Sequence, residues 1–434
     1  MTKPTSRLQE LRRRIYRKAK AEKEHRFWGL YVHVAKLETL EEAYRIAKGN
    51  AGAPGIDGVT FDDVEARGRQ AFLEEIRREL LDGTYEPKAY RVVEIPKGDG
   101  KFRKLSIPAI RDRVVQGAVK LILEAVFEAD FCPSSHGYRP KRSQHRALAE
   151  ARRSLLRRMS TVIEVDLSAY FDGIRHHILL GKIARRVQDD QLMALVKKIL
   201  KVGGKKGVPQ GGPFSPLVAN IYLNELDWEL ERMRQETVDG PYDSINYHRF
   251  ADDIIVLVSG HRSKRWMVGW VKERLQKHLA SLEAKMNEEK TKTVDTLKGE
   301  AFSFLGFDFR RVLNQRGQHY ILLSPRKKAR LKIKAEIREI MRRSGSKPLP
   351  EIIQKLNALV QGWVQYFRVA NSSRAFSEVR DYLEMKVRIL LTRRKRKRKR
   401  SIGWERWSNE YLYGVLELYW GWKLDPLPSA DSYA

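Results

Sequence analysis

The sequence predicts an α+β fold, and three observations carry that reading. Two short β-branched runs, Thr161–Val165 and Ile254–Val258, have the length and composition of buried strands. Long segments with apolar residues at helical spacing surround them, as at 110–129 and from Leu217 towards Glu236. Beyond Ser324-Pro325 the pattern becomes helical and basic.

The chain has 434 residues, enough for two to three domains and a substantial core. Charge is the outlier: 85 Lys and Arg against 54 Asp and Glu give +31. Such an excess repels itself unless a polyanion binds it, which makes nucleic acid the leading partner and an anionic membrane surface the alternative. No apolar run approaches 18 residues, so neither a membrane helix nor a secretory signal is expected. The single cysteine, Cys132, excludes an internal disulfide and a Cys-rich zinc module, and a cytoplasmic protein is expected.

In chain order, 7–48 reads as helical, with Leu8, Leu11 and Ile15 on one face among Arg and Lys. Gly49–Gly58 carries four glycines but no following Gly-Lys-Ser/Thr, so it is a loop close to another backbone and not a Walker loop. A helix over about 60–82 leads to a hairpin, Tyr90–Pro96 against Lys101–Ile107, that carries Lys97, Lys101, Arg103 and Lys104. A basic hairpin is commonly just a charged edge. It also suits a triphosphate, because Arg offers a planar fork and Lys a point charge.

The helix at 110–129 is followed by the basic loop Ser135–Ser143 and the strand Thr161–Asp166. A Gly/Pro loop, Gly207–Pro216, opens the helix from Leu217. Further on come a helix over 263–285 and a hairpin of Phe302–Phe309 with His319–Leu323. Three basic helices span 326–400, broken at Gly345–Pro348 and Asn371–Ser373. The last ends in the all-basic run Arg393–Arg400, and the aromatics Trp404, Trp407, Tyr411, Tyr413, Tyr419, Trp420 and Trp422 follow. Basic charge beside aromatics suits phosphate contact with base stacking, or a small packed core.

The chemistry centres on acids. Asp252 and Asp253 sit at the bend that feeds Ile254–Val258. Alone such a pair is ordinarily a solvated turn. Asp166 ends the upstream strand, where a helix N-cap is the plain reading and an active-site crevice the functional one. Asp172 reads as a cap or ion-pair partner, and His176-His177 as structural.

Taken together, the blocks Gly52-Ala-Pro-Gly-Ile-Asp-Gly58, Ile95-Pro-Lys-Gly-Asp-Gly-Lys-Phe-Arg103, Ser135-His-Gly-Tyr-Arg-Pro140, Val165-Asp-Leu-Ser-Ala-Tyr-Phe-Asp172, Pro209-Gln-Gly-Gly-Pro-Phe-Ser-Pro216, Phe250-Ala-Asp-Asp253, Glu289-Lys-Thr291 and Phe304-Leu-Gly-Phe307 resemble, in the same order, the reverse transcriptases encoded by bacterial group II introns. Gly362-Trp-Val-Gln-Tyr-Phe367 resembles their maturase region. The resemblance implies a right-hand polymerase: N-terminal extension, fingers and palm over 1–325, an α-helical thumb over 326–392 and a basic, aromatic DNA-binding segment over 393–434.

By motif match, Asp166 and Asp252 bind two Mg²⁺ ions with Asp253 assisting. Acids without His or Cys are what a hard cation and substrate phosphates call for. The resemblance further implies that Lys97 and Arg103 grip the triphosphate, Gln210 and Phe250 lie at the nucleotide, Phe171 gates the sugar and Lys290 assists pyrophosphate. Arg394, Arg396, Arg398 and Arg400 are the nucleic-acid candidates. Implied partners are group II intron RNA, a DNA primer or target and dNTPs, with roles in splicing and intron mobility.

Phe250 stands where the family usually has Tyr, which puts one polar contact in doubt. Pro213-Phe214 replaces an aliphatic pair, and no nuclease follows Trp422, so second-strand cleavage is not expected from this chain. The competing readings are a non-catalytic splicing cofactor and a domesticated reverse transcriptase of a CRISPR, retron or diversity-generating element. The intact acid trio, read as buried and mutually repelling, weighs against the first.

Overall fold

The computed structural model describes residues 6–98, 101–157, 159–240, 243–345, 347–394, 406–425 and 427. The predicted N-terminal helix is three helices, α1 (Arg7–Ala21), α2 (Leu30–Val34) and α3 (Leu37–Gly49). Next come α4 (Phe61–Arg67) and α5 (Arg69–Leu81), one predicted helix divided at Gly68, whose φ is 99°. Thr60 starts α4 with a capping box, its hydroxyl accepting from the Asp63 amide while Asp63 accepts from Thr60.

β1 (Arg91–Gly98) and β2 (Lys101–Ile107) form the expected antiparallel hairpin, with Arg91 opposite Ile107. α6 (Ile110–Phe127) follows, then α7 (Gln144–Leu156), β3 (Met159–Val165), α8 (Tyr170–Gly173), α9 (His176–Ala184), α10 (Asp190–Lys201) and α11 (Ser215–Glu236). β4 (Ile245–Phe250), β5 (Asp253–Ser259), α12 (Trp266–Ser281) and β6 (Lys292–Asp295) complete the middle of the chain. The last third holds β7 (Ala301–Phe304), β8 (Phe307–Leu313), β9 (His319–Pro325), α13 (Lys327–Arg342), α14 (Leu349–Phe367) and α15 (Ser373–Arg394). The strands order as β1-β2, β4-β5-β3-β6 and β7-β8-β9. Among the described residues no helix is long and apolar enough to cross a membrane.

The chain divides into two compact units. The first comprises residues 1–143, 165–256 and 265–291. Its core is α6, buried almost throughout, with Val114, Ala118, Ile122 and Val126 fully enclosed. α1 lies on it through buried Leu8, Ile15 and Ala19, and Arg12 reaches Glu124 at 2.7 Å, so part of the basic N-terminal face is spent on structure. The Gly49–Gly58 loop is pressed on another backbone as expected: a Cβ on Gly55 would lie 2.5 Å from the Ala109 Cα. Cys132 is fully buried and its Sγ accepts the Tyr247 hydroxyl at 2.8 Å. Burial pushes its thiol up to about 11.

The second unit comprises residues 144–164, 257–264 and 292–434. β6 pairs antiparallel to β3, with Val162 opposite Val294. The predicted arm Phe302–Phe309 is itself a hairpin: Leu305 (φ 50°) and Gly306 (φ 79°) turn β7 into β8. Phe302 and Phe309 stack across it at 4.8 Å. α14 packs on this sheet through Phe367, 4.8 Å from Phe307, and Tyr366 donates to the Leu305 carbonyl at 2.8 Å. α13 and α15 are joined by Lys334 and Glu378 at 2.7 Å.

The C-terminal aromatics are in part a packed core. Trp407, Leu412 and Leu418 are buried, Arg388 holds the Trp407 carbonyl at 2.9 Å, and Asn357 of α14 bonds both the Tyr419 amide and the Glu417 carbonyl. Trp420 is 70% exposed, with the Lys423 ammonium 5.7 Å from its ring.

Candidate active site

The acid pair sits where the apolar run predicts it. β5 is buried from Ile254 to Val258, and the turn from β4 into it consists of Ala251 and Asp252, with Ala251 left-handed at φ 60°. Asp252 and Asp253 are exposed, which corrects the expectation of buried acids. A carboxylate that must take a cation from solution has to be reachable. The burial lies behind the pair, in β5.

Asp166 is the first residue after β3 and is partly exposed. A second segment fixes its backbone: its carbonyl accepts the Asn287 amide at 2.8 Å, and its amide donates to the Thr291 hydroxyl at 3.4 Å. The same segment brings the Lys290 ammonium to 3.6 Å from Asp166 Oδ1. Tyr170, four residues beyond Asp166, is buried. Burial raises its phenol well above the ordinary range, and Asp252 is close enough to add to the shift. Asp166 thus follows β3, and Asp253 opens β5, the strand next to it.

Phe171 is 8% exposed, packed edge-on to Tyr170 at 5.4 Å, and its carbonyl accepts the Val208 amide at 2.8 Å. That bond ties it to the Gly/Pro loop. In that loop Gln210 is bonded twice to the hairpin: its carbonyl accepts the Ser106 amide at 2.9 Å, and its Oε1 accepts Arg103 Nε. Lys97 has no described side chain, so its role lies outside the described residues. His176 is structural, its Nε2 lying 2.7 Å from the Gly207 carbonyl.

Tyr138, in the basic loop Ser135–Ser143, stands near Phe250 and within electrostatic reach of Asp252. It is left-handed (φ 58°), 49% exposed, and its ring lies 6.0 Å from Phe250. Its phenol is raised first by burial and then by Asp252, with Asp253 adding and Arg103 opposing. A phenol therefore stands close to Phe250, the last residue of β4, on the Ser135–Ser143 loop. No periodicity signals this, because a residue of a polar loop carries no pattern.

Arg394 belongs to the second unit. Its guanidinium bonds the carbonyls of Ser344, Gly345 and Lys347, which end one helix and precede the next. Arg396, Arg398 and Arg400 lie outside the described residues.

The donor set fits a divalent cation. Asp166, Asp252 and Asp253 offer hard carboxylate oxygens, two of them solvent-facing, and an ammonium already stands beside the third. A cationic hairpin bonded to a glycine-rich loop, in a unit that also holds acids at strand ends, is an arrangement that suits a polymerase of nucleotides. Comparison with known proteins is specific. Residues 95–309 match the family described as Reverse transcriptase (RNA-dependent DNA polymerase), and residues 330–411 match Group II intron, maturase-specific domain.

Protein YkfC of Escherichia coli is 34% identical over 363 residues, covering 74% of this chain and 94% of that protein. Group II intron-encoded protein LtrA of Lactococcus lactis subsp. cremoris is 29% identical over 371 residues, 71% of this chain. The chain spans 60% of the length of LtrA. Nuclear intron maturase 4, mitochondrial, of Arabidopsis thaliana is 29% identical over 217 residues, 47% of this chain and 26% of that protein. The chain belongs to the family of bacterial group II intron reverse transcriptases and maturases. It is an RNA-directed DNA polymerase with a maturase domain that assists intron splicing, and a divalent metal dependence comes with its polymerase domain.

Proposed function

We propose that the chain copies group II intron RNA into DNA during intron mobility, extending a DNA primer with dNTPs. In this reading residues 1–325 form an N-terminal extension, fingers and palm, 326–392 the thumb, and 393–434 a DNA-binding segment. The observation that supports it is that Asp166 follows β3 while Asp252 and Asp253 lie where β5 begins, on neighbouring strands of one sheet.

Asp166 and Asp252 supply the oxygen donors for two Mg²⁺ ions, with Asp253 assisting. Bound there, the ions would lower the charge of the reacting phosphate and ease loss of the primer 3′-hydroxyl proton to solvent. That oxygen bonds to the α-phosphorus of the dNTP, and the bond to pyrophosphate breaks. Lys97 and Arg103 bind the triphosphate. Gln210 holds Arg103 through Nε, which leaves the Nη donors of the fork for phosphate oxygens. Phe171 lies under the sugar and excludes a 2′-hydroxyl. Lys290 holds a proton beside the leaving pyrophosphate, which gains charge as the bond breaks.

The test is Asp252→Asn. An amide nitrogen cannot replace a carboxylate ligand, so primer extension with Mg²⁺ should be abolished while intron RNA binding and splicing support persist. Extension near the wild-type rate would remove Asp252 from the metal site.

A further inference from the structure

We propose that Arg249 is a positioning residue that sets the backbone of the catalytic turn and so aims Asp252. Arg249 is the penultimate residue of β4 and is fully buried. A guanidinium carries five N–H donors. Here each has an acceptor: Nε and Nη2 reach the two oxygens of Asp227 at 2.8 and 2.6 Å, and Nη2 also reaches Ser135 Oγ at 2.7 Å. Nη1 reaches Asn220 Oδ1 at 3.0 Å and the Ala251 carbonyl at 2.8 Å.

The last contact matters most. The Ala251 carbonyl belongs to the peptide that enters Asp252, so fixing that oxygen fixes the plane from which the carboxylate departs. Ala251 is held left-handed, a conformation that L-residues other than Asn and Asp avoid. The strained turn therefore needs an external hold.

A second contact confines the preceding peptide, Phe250–Ala251. Asn220, which accepts from Arg249, also donates to the Gly137 carbonyl at 2.7 Å. A Cβ on Gly137 would stand 2.4 Å from the Ala251 amide nitrogen. The loop is registered on β4 by two backbone bonds, Arg249 N–H to Ser134 at 3.0 Å and His136 N–H to the Arg249 carbonyl at 2.8 Å. Asn220 and Asp227 lie two turns apart on α11, so one helix face carries both partners. A buried ion pair is a poor choice for stability alone, since apolar groups of similar volume serve as well. Its presence here follows from the need for a rigid, forked donor that reaches a carbonyl inside the core, which Lys cannot supply.

The inference rests on the assignment of Asp252 to the metal site, and its test uses Arg249→Lys and Gly137→Ala in the full chain. Arg249→Lys keeps the charge beside Asp227 and loses the fork. Gly137→Ala keeps the ion pair and pushes the Phe250–Ala251 peptide, the one just before the carbonyl that Arg249 holds. Each is assayed below its own Tm for template–primer binding, for trapping of the next dNTP with Ca²⁺ on a dideoxy-terminated primer, and for extension. We expect template–primer affinity to hold and dNTP trapping to weaken about tenfold, while extension falls about a hundredfold, the cost of displacing a reacting group by roughly 1 Å.

A folded Arg249→Lys with wild-type trapping and extension would overturn the inference, because the guanidinium would then merely fasten β4 to α11. If Arg249→Lys does not fold, Gly137→Ala decides, and wild-type trapping there overturns it equally. Extension surviving in Asp252→Asn sinks the metal assignment. A dead Asp252→Asn beside a normal Arg249→Lys sinks the positioning role alone.

Discussion

At the scale of single residues, chemistry and pattern part company. Asp252 and Asp253 were legible because an apolar run of β-branched residues follows them directly. Arg249, one position upstream of Phe250, reads in sequence as another basic residue in a basic chain. Its burial depends on Asp227, 22 residues away on another element, and no local window contains both. Phe171 was assigned by resemblance, and its burial makes the prediction sharper. Phe171→Ala should lower discrimination against ribonucleotides about ten- to a hundredfold, read from competing rNTP and dNTP extension. Truncating a buried ring costs about 3–5 kcal/mol, so Phe171→Val serves as the milder companion. An unchanged ratio in both assigns the gate to another residue.

His248 gives a pH prediction at the same scale. Burial lowers its imidazole to about 3, against an unfolded value of about 6.5. Above pH 6.5 both states are neutral there and the full stability is present. As pH falls from 6.5 toward 3, the unfolded chain takes a proton that the folded one refuses, and stability drops by up to about 1.4 kcal/mol per pH unit. His248→Gln should flatten the Tm-against-pH curve between pH 6.5 and 5. Parallel curves for the two proteins would rule this out.

At the scale of elements, the helices and strands were largely legible, and the breaks were less so. The two helix-to-helix boundaries in the last third lie at the Gly/Ser/Pro clusters that flagged them. The division at Gly68 leaves no mark in the apolar spacing, which continues across it, and the β7–β8 turn is hidden inside an aromatic run. That turn is testable. Gly306 has φ 79°, and a Cβ there would meet the Phe367 and Tyr366 rings at an ordinary 3.8 and 4.0 Å. Gly306→Ala should therefore cost backbone strain alone, about 1 kcal/mol, visible as a lower urea midpoint with an unchanged m value. A neutral result would mean that the turn relaxes into another geometry.

At the scale of the molecule, the charge of +31 was the plainest signal and the least specific. It announced a polyanion without saying where. Arg394 illustrates the difficulty, since its guanidinium is engaged by backbone carbonyls. The test of the basic run therefore leaves Arg394 intact and changes Arg396, Arg398 and Arg400 to Ala. Binding of structured RNA or target DNA should weaken, with the slope of log K against log salt falling by up to about three, one per lost phosphate contact. Extension of a short primer on an unstructured template should persist. A wild-type slope would mark the run as solvated charge.

The burial of Cys132 has a practical consequence. Alkylating reagents attack the thiolate, and a thiol held near 11 and closed to solvent offers almost none at neutral pH. Since the chain has one cysteine, it is already a clean background for site-specific labelling. Single cysteines introduced at exposed Lys423 and Lys104 should take maleimide dyes stoichiometrically, while the parent protein takes none until denatured. Motion of either position during primer extension could then be followed by fluorescence without removing a native residue.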